Sequence, residues 1–260
     1  MKNSEQKIID SHLHLDHIHT KHPDRIRWMR ERGIIPISWA FAMNIENRES
    51  LAAYLRTQAD LIHRLNGEGM KCFFLSGIHP RNIPPDLDAE DVKALLSPFL
   101  DDPLCLGIGE IGLELGSPRE KEIFSAQLAM GEHLREKGKC LGVHTPRENK
   151  PKITREILSV LEKYPGLEEI TVIDHCMPET IARVLEKGYR AGVTLSPIKA
   201  SFRDAEEILR RHSEDLNRIM CNTDSGTVFH EDVFRLHCSE DFREVQSSLT
   251  FENALQFFRL

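Results

Sequence analysis

A (β/α)8 barrel of the TIM type is the fold class this sequence predicts, and three observations predict it. Eight short, apolar, β-rich runs alternate with longer helix-patterned stretches. No low-complexity linker or composition shift divides residues 1–260, so the chain reads as one domain. Several of the runs close on a His, Asp or Glu, the rim position at which barrels place their working side chains.

The runs expected as strands are 7–13, 34–41, 70–76, 104–109, 139–144, 170–175, 190–195 and 218–223. The amphipathic stretches between them include 48–66, 120–137, 152–163, 178–187 and 203–212. The connection after 34–41 opens with a polar turn, and a Pro-rich loop precedes the helix after 70–76. The stretch from Phe251 to Phe258 reads as a final helix that seals the barrel, its aromatic residues serving packing. A doubly wound open sheet is the alternative fold, and periodicity alone does not separate the two.

Hydrophobic residues make up 40% and charged residues 29%, as in ordinary globular chains. No apolar run is long enough to span a bilayer. The start, Met1 to Lys7, has no apolar stretch of signal-peptide length, so the expected location is cytoplasmic. The cysteines are Cys72, Cys105, Cys140, Cys176, Cys221 and Cys238; none forms a Cys-x-x-Cys pair, and reduced, buried thiols are expected. A net charge of −7 opposes a long non-specific grip on nucleic acid, yet permits a small anionic substrate at a locally positive mouth.

In Asp10-Ser11-His12-Leu13-His14-Leu15-Asp16, strand alternation points His12 and His14 to one side and Leu13 to the other. A lone His-x-His is weak. Glu110, His144, His175 and Asp224 strengthen it, because each closes a separate apolar run. Glu110 follows His12 by 98 residues, His144 follows Glu110 by 34, His175 follows His144 by 31, and Asp224 follows His175 by 49. These gaps approximate whole numbers of βαβ units of ~30 residues. Core histidines would have no reason to fall so regularly at strand ends. His17, His19 and His22 read as solvated loop histidines.

Four imidazoles and two carboxylates exceed the needs of one four-coordinate ion. The expected arrangement gives His12, His14 and Asp224 to one divalent ion and His144 and His175 to a second, with Glu110 shared. Two such cations lower the pKa of water and clamp attacking and leaving oxygens; Asp224 would take the water's proton. Mixed nitrogen and oxygen donors suit Zn or Mn, with Mg less natural.

The chain resembles the TatD-related deoxyribonucleases, metal-dependent hydrolases of the amidohydrolase superfamily. The matching segments are Asp10 to Asp16, Gly77-Ile78-His79-Pro80, Gly109-Glu110-Ile111-Gly112-Leu113, Gln127-Leu128-Ala129, His144, His175-Cys176, Thr223-Asp224-Ser225 and Asn253 to Phe257. The resemblance implies a two-metal barrel enzyme that hydrolyses phosphodiesters, with 3′-to-5′ cleavage of DNA known in the family. His79 resembles a family group that touches substrate or braces a ligand. The chain departs from the family pattern in having Glu114 where Asp is usual, Arg147 three residues after His144 rather than two, Met177-Pro178-Glu179 in place of Phe-Ser-Gly, Asn222 where Glu is usual, and Gly226 where Pro is common. The six ligand positions persist while the substrate-facing surroundings change.

Arg81, Arg147, Lys150, Lys199 and Arg203 all follow strands on the presumed catalytic side, and Arg147 and Lys199 are the expected phosphate contacts. The leading expectation is therefore a phosphodiesterase or nuclease acting on single-stranded DNA or a small anionic phosphoester. An amidohydrolase-type enzyme for a small-molecule amide, lactone or ester is the second, and a non-enzymatic metal-binding scaffold the third. No obligate protein partner is inferred.

Overall fold

The computed structural model describes residues 7–260; the reading of the chain's start falls largely on residues outside these. Eight strands, β1 (Ile8–Leu13), β2 (Ile34–Trp39), β3 (Phe73–Leu75), β4 (Cys105–Gly112), β5 (Cys140–His144), β6 (Thr171–Ile173), β7 (Arg190–Thr194) and β8 (Ile219–Asn222), pair in parallel in chain order. That order, with helices in the connections, is the expected β/α barrel and excludes a doubly wound sheet, whose order reverses.

The barrel is nearly closed. At the seam between β1 and β8 the backbone bonds continue beyond the strands: Asp224 N–H donates to His12 O at 2.9 Å and His14 N–H to Ser225 O at 2.7 Å. The buried Asp10 carboxylate reinforces this seam by accepting from Thr223 N–H at 3.0 Å and Thr223 Oγ1 at 2.7 Å. Burial raises the Asp10 carboxyl to about 7.

Side chains alternate between two apolar clusters. Ile9, Ile37, Trp39, Leu75, Cys140, Val172 and Met220 fill the barrel interior, and Ala254, Phe257 and Phe258 plug one end of it. Ile8, Leu13, Phe74, Ile108, Leu141, Val143, Ile173 and Val193 belong to a second cluster with the helices. Interior space is tight: a Cβ on Gly142 would lie 2.6 Å from the Trp39 ring.

The connection from β1 to β2 is not a loop, as its histidines suggested, but two helices, α1 (Leu15–Lys21) and α2 (Pro23–Glu31). The α3 helix (Arg48–Gly67) is started by a reciprocal Asn47–Ser50 cap. After α4 (Ala89–Leu96), the stretch expected at 120–137 divides into α5 (Pro118–Leu128) and α6 (Gly131–Glu136). The α7 (Lys150–Leu161), α8 (Ile181–Glu186) and α9 (Phe202–Arg211) helices match expectation within three residues, and α10 (Asp232–His237) was not anticipated. A π-helical turn at Ser248–Glu252 leads into α11 (Asn253–Phe258), the end plug. All six cysteines are free, five of them buried and Cys238 exposed. Among the described residues no helix is long and apolar enough to cross a membrane.

Candidate metal centre

Glu110 lies within β4 rather than at its end, buried at 2% exposure, and its two oxygens face different neighbours. Oε2 is 3.4 Å from His12 Nε2 and 3.9 Å from His14 Nε2. Oε1 is 2.6 Å from His144 Nδ1 and 3.3 Å from His175 Nε2. Asp224 Oδ1 joins the first group, 2.9 Å from His14 Nε2 and 3.6 Å from His12 Nε2. Six side chains from five strands or the loops just after them thus meet at one end of the barrel.

Each histidine presents one nitrogen inward because the other is held. His14 Nδ1 donates to Trp39 O at 2.9 Å. His12 Nδ1 is bonded to Asp174, and its ring stacks on Trp39 at 4.0 Å between centroids. His144 Nε2 meets Glu114 Oε2 at 2.9 Å, and His175 Nδ1 meets Thr194 Oγ1 at 2.7 Å. Oxygen partners on the outer nitrogen are what orient imidazole ligands in metal sites.

The donor set fits a cation. His12 Nε2 is buried and has no hydrogen-bond partner. Two donors each about 2.1 Å from one tetrahedral ion lie about 3.4 Å apart, close to the 3.4 and 3.6 Å by which His12 Nε2 misses Glu110 and Asp224. His12, His14 and Glu110 form one cluster able to hold an ion, and Glu110, His144 and His175 form another. A further grouping of His79, Glu114 and His144 is a different case. His79 Nδ1 accepts the Arg81 N–H at 3.0 Å, so its Nε2 carries the hydrogen and is a donor, not a ligand. That Nε2 is buried, has no hydrogen-bond partner and lies 3.6 Å from Glu110.

The electrostatics follow from packing charges in a dry mouth. Burial alone would raise Glu110, but the rings of His12, His79 and His144 hold it well below the usual range. Asp224 is lowered in the same way, against burial, chiefly by Lys199. Burial works against the charged His12 ring, yet Glu110 and the bond to Asp174 raise it to about 10. Burial lowers His79 to about 4, and burial with the Lys199 charge lowers His175 to about 3. Glu114 falls to about 2, because the bond to His144 outweighs burial.

Two of the six residues, His175 (φ 59°) and Asp224 (φ 52°), have left-handed backbone. That conformation costs a non-glycine residue ~1 kcal/mol or more and persists only where surroundings enforce it. At His175 the enforcers are visible: Lys150 Nζ donates to His175 O at 2.9 Å and to Thr145 Oγ1 at 3.0 Å. Lys150 is therefore a buried brace rather than a rim cation, and burial lowers it to about 8.

Of the expected substrate contacts, His79 and Lys199 are at the centre. Lys199 Nζ bonds Asp224 Oδ2 and lies 3.0 and 3.1 Å from the two His175 nitrogens. Arg147 is exposed and, among the described residues, makes no hydrogen bond or ion pair with the cluster. Of the three histidines expected as solvated loop groups, His17 is instead buried on α1 beside His14, His19 lies part-exposed on α1 against Arg64, and the part-exposed His22, between α1 and α2, donates from Nε2 to Thr227 O at 3.0 Å.

Sequence reasoning missed Asp174, Thr194 and Trp39. The one available signal was a carboxylate, Asp174, at the end of the apolar run before His175. Nothing in the sequence places it against His12.

Residues 9–228 match the family model described as TatD related DNase. An uncharacterized metal-dependent hydrolase of Methanocaldococcus jannaschii is 26% identical over 193 residues, 71% of this chain and 72% of that protein. The crystal structure of a TatD-like protein from Archaeoglobus fulgidus superposes with a TM-score of 0.77 at 31% identity, covering 97% of this chain and all of that one. A phosphotriesterase homology protein from Escherichia coli, solved with phosphate in its active site, shares the fold at a TM-score of 0.71 and 14% identity, over 98% and 99% of the two chains. This chain belongs to the TatD related DNase family and has the barrel fold of the TatD-like protein.

Proposed function

We propose that the protein is a two-metal phosphodiesterase of the nuclease type, acting on single-stranded DNA ends or a small anionic phosphoester. The observation that carries this reading is the divided environment of Glu110, with His12 and His14 on Oε2 and His144 and His175 on Oε1. His12, His14 and Asp224 are assigned to one ion, His144 and His175 to the other, and Glu110 to both. The donors suit Zn²⁺ or Mn²⁺ better than Mg²⁺. When bound, such a pair of ions acidifies water and neutralises charge on phosphoryl oxygens.

The chain's own groups supply the rest. Asp224, kept anionic beside Lys199, takes the proton of the attacking water at a carboxylate oxygen and returns it to the leaving oxygen. His79, neutral with its hydrogen on Nε2, donates a hydrogen bond into the centre. Lys199 releases Asp224 to hold a phosphate oxygen, and the exposed Arg147 is available to a neighbouring phosphate.

One observation favours the second reading, hydrolysis of a small-molecule amide, lactone or ester. The anionic Glu114 stands at the mouth beside His144 and would repel a phosphate unless Arg81, 3.6 Å away, offsets it. A substrate panel separates the two. With Mn²⁺ or Mg²⁺, the wild type should trim a labelled single-stranded oligonucleotide, and His144→Ala and Glu110→Gln should not. Turnover confined to lactones or amides would replace the nuclease reading with the second. Bound metal without turnover on either panel would leave only a scaffold.

A further inference from the structure

Outside the six proposed ligands, a buried polar network at the barrel mouth touches a histidine of each proposed ion. Asp174 is fully buried and bonds His12 Nδ1 through Oδ2. Its Oδ1 accepts from Asn222 Nδ2 at 2.8 Å. The other side of the same amide, Asn222 Oδ1, accepts from Thr194 Oγ1 at 2.8 Å. Because the Thr194 hydroxyl spends its hydrogen on Asn222, its oxygen must accept the 2.7 Å bond from His175 Nδ1. Both rings therefore donate outward through Nδ1, and both Nε2 atoms face Glu110.

Space confirms that the network is built in rather than incidental. A Cβ on Gly192 would collide with the Asp174 carboxylate and come within 3.3 Å of Asn222 Nδ2. Asn222 is 1% exposed and Thr194 fully buried, so water cannot replace either partner.

We infer that Asn222 is a shared positioning residue for the two ions, acting on His12 through Asp174 and on His175 through Thr194. Only a side chain with a donor on one side and an acceptor on the other serves both arms. An Asp at 222 has no donor for Asp174, and a Leu has neither group. This gives a physical role to one of the positions where the chain departs from its family pattern. The inference rests on the assignment of His12 and His175 as ligands to different ions.

The test is selective metal binding. Metal-stripped wild type, Asp174→Asn, Thr194→Val and Asn222→Asp are titrated with Zn²⁺ by calorimetry, and anomalous diffraction at limiting Zn²⁺ shows which position fills. Asp174→Asn should weaken the ion at His12 by about 10–100-fold and the ion at His175 much less, Asp174 lying 3.6 Å from His175 Nδ1 without a hydrogen bond to it, and Thr194→Val should do the reverse. Asn222→Asp should weaken both. Asp174→Asn and Thr194→Val preserve shape, so they carry the test even if Asn222→Asp does not fold. Equal losses at both positions in either arm variant, or wild-type binding by Asn222→Asp, would overturn the inference while leaving the ion assignment intact. A wild type that takes up no Zn²⁺ would instead remove the assignment itself.

Discussion

Gly142→Ala tests whether the barrel interior is packed up to the candidate site. Gly142 lies on β5 and faces Trp39 of β2. An added methyl would lie 2.6 Å from two atoms of the indole ring and 2.8 Å from Leu75 Cδ1. Ordinary carbon contacts are ~3.5 Å or more, so the indole must retreat by about 1 Å. It has little room: Trp39 is 1% exposed, stacks on His12 and donates its indole N–H to Ser11 O at 2.9 Å. Overpacking of this kind costs about 1–3 kcal/mol. For a chain of this size that lowers Tm by roughly 2–10 °C. Chemical denaturation and thermal melts of the metal-free protein read the loss, and Zn²⁺ calorimetry reads the accompanying shift of His12. The control is the same change in a Trp39→Leu background, where the indole is gone. There the added methyl should be harmless or stabilising, giving a coupling energy of about 1 kcal/mol or more. A Gly142→Ala protein that melts with the wild type, or that loses as much in both backgrounds, would refute the packing argument.

Two further outcomes follow from the site and its margin. With His12 raised to about 10, its ring is charged in the metal-free protein at neutral pH, so an ion must displace a proton to reach Nε2. Metal affinity should therefore climb about tenfold per pH unit between pH 6 and 8 for that proton alone, and calorimetry in buffers of different ionisation enthalpy should show its release; pH-independent binding would contradict the assignment. Glu120 Oε2 accepts the N–H groups of Glu114, Leu115 and Gly116 at 2.8, 2.9 and 2.9 Å, fixing the loop that carries Glu114 to His144. Glu120→Ala should cost about 3 kcal/mol, with faster amide exchange concentrated at residues 113–117; unchanged exchange there would show that the loop holds itself.

What the sequence makes legible is whatever repeats with the chain. His12, Glu110, His144, His175 and Asp224 could be gathered in advance because each lies within about two residues of the C-terminal end of a strand, and a parallel barrel brings those ends together. The Asp174, Asn222 and Thr194 network has no such periodicity. Asp174 reaches a strand-1 histidine 162 residues away, and Asn222 is 48 residues from its Asp174 partner. Those contacts depend on which side chains point inward at neighbouring levels of a closed barrel, and Asp174 lies one residue past β6, where strand alternation no longer gives its direction. The helices between β1 and β2 were hidden for a related reason. Their first turns carry His14, His17 and His22, residues of poor helix propensity, and α1 is held by burial of Leu15, His17 and Ile18 rather than by its local sequence. The candidate ligand positions are therefore readable from topology, but the groups that would orient them are tertiary. At such positions the family residue can be exchanged, as at Asn222, provided the donors and acceptors around the two histidines still match.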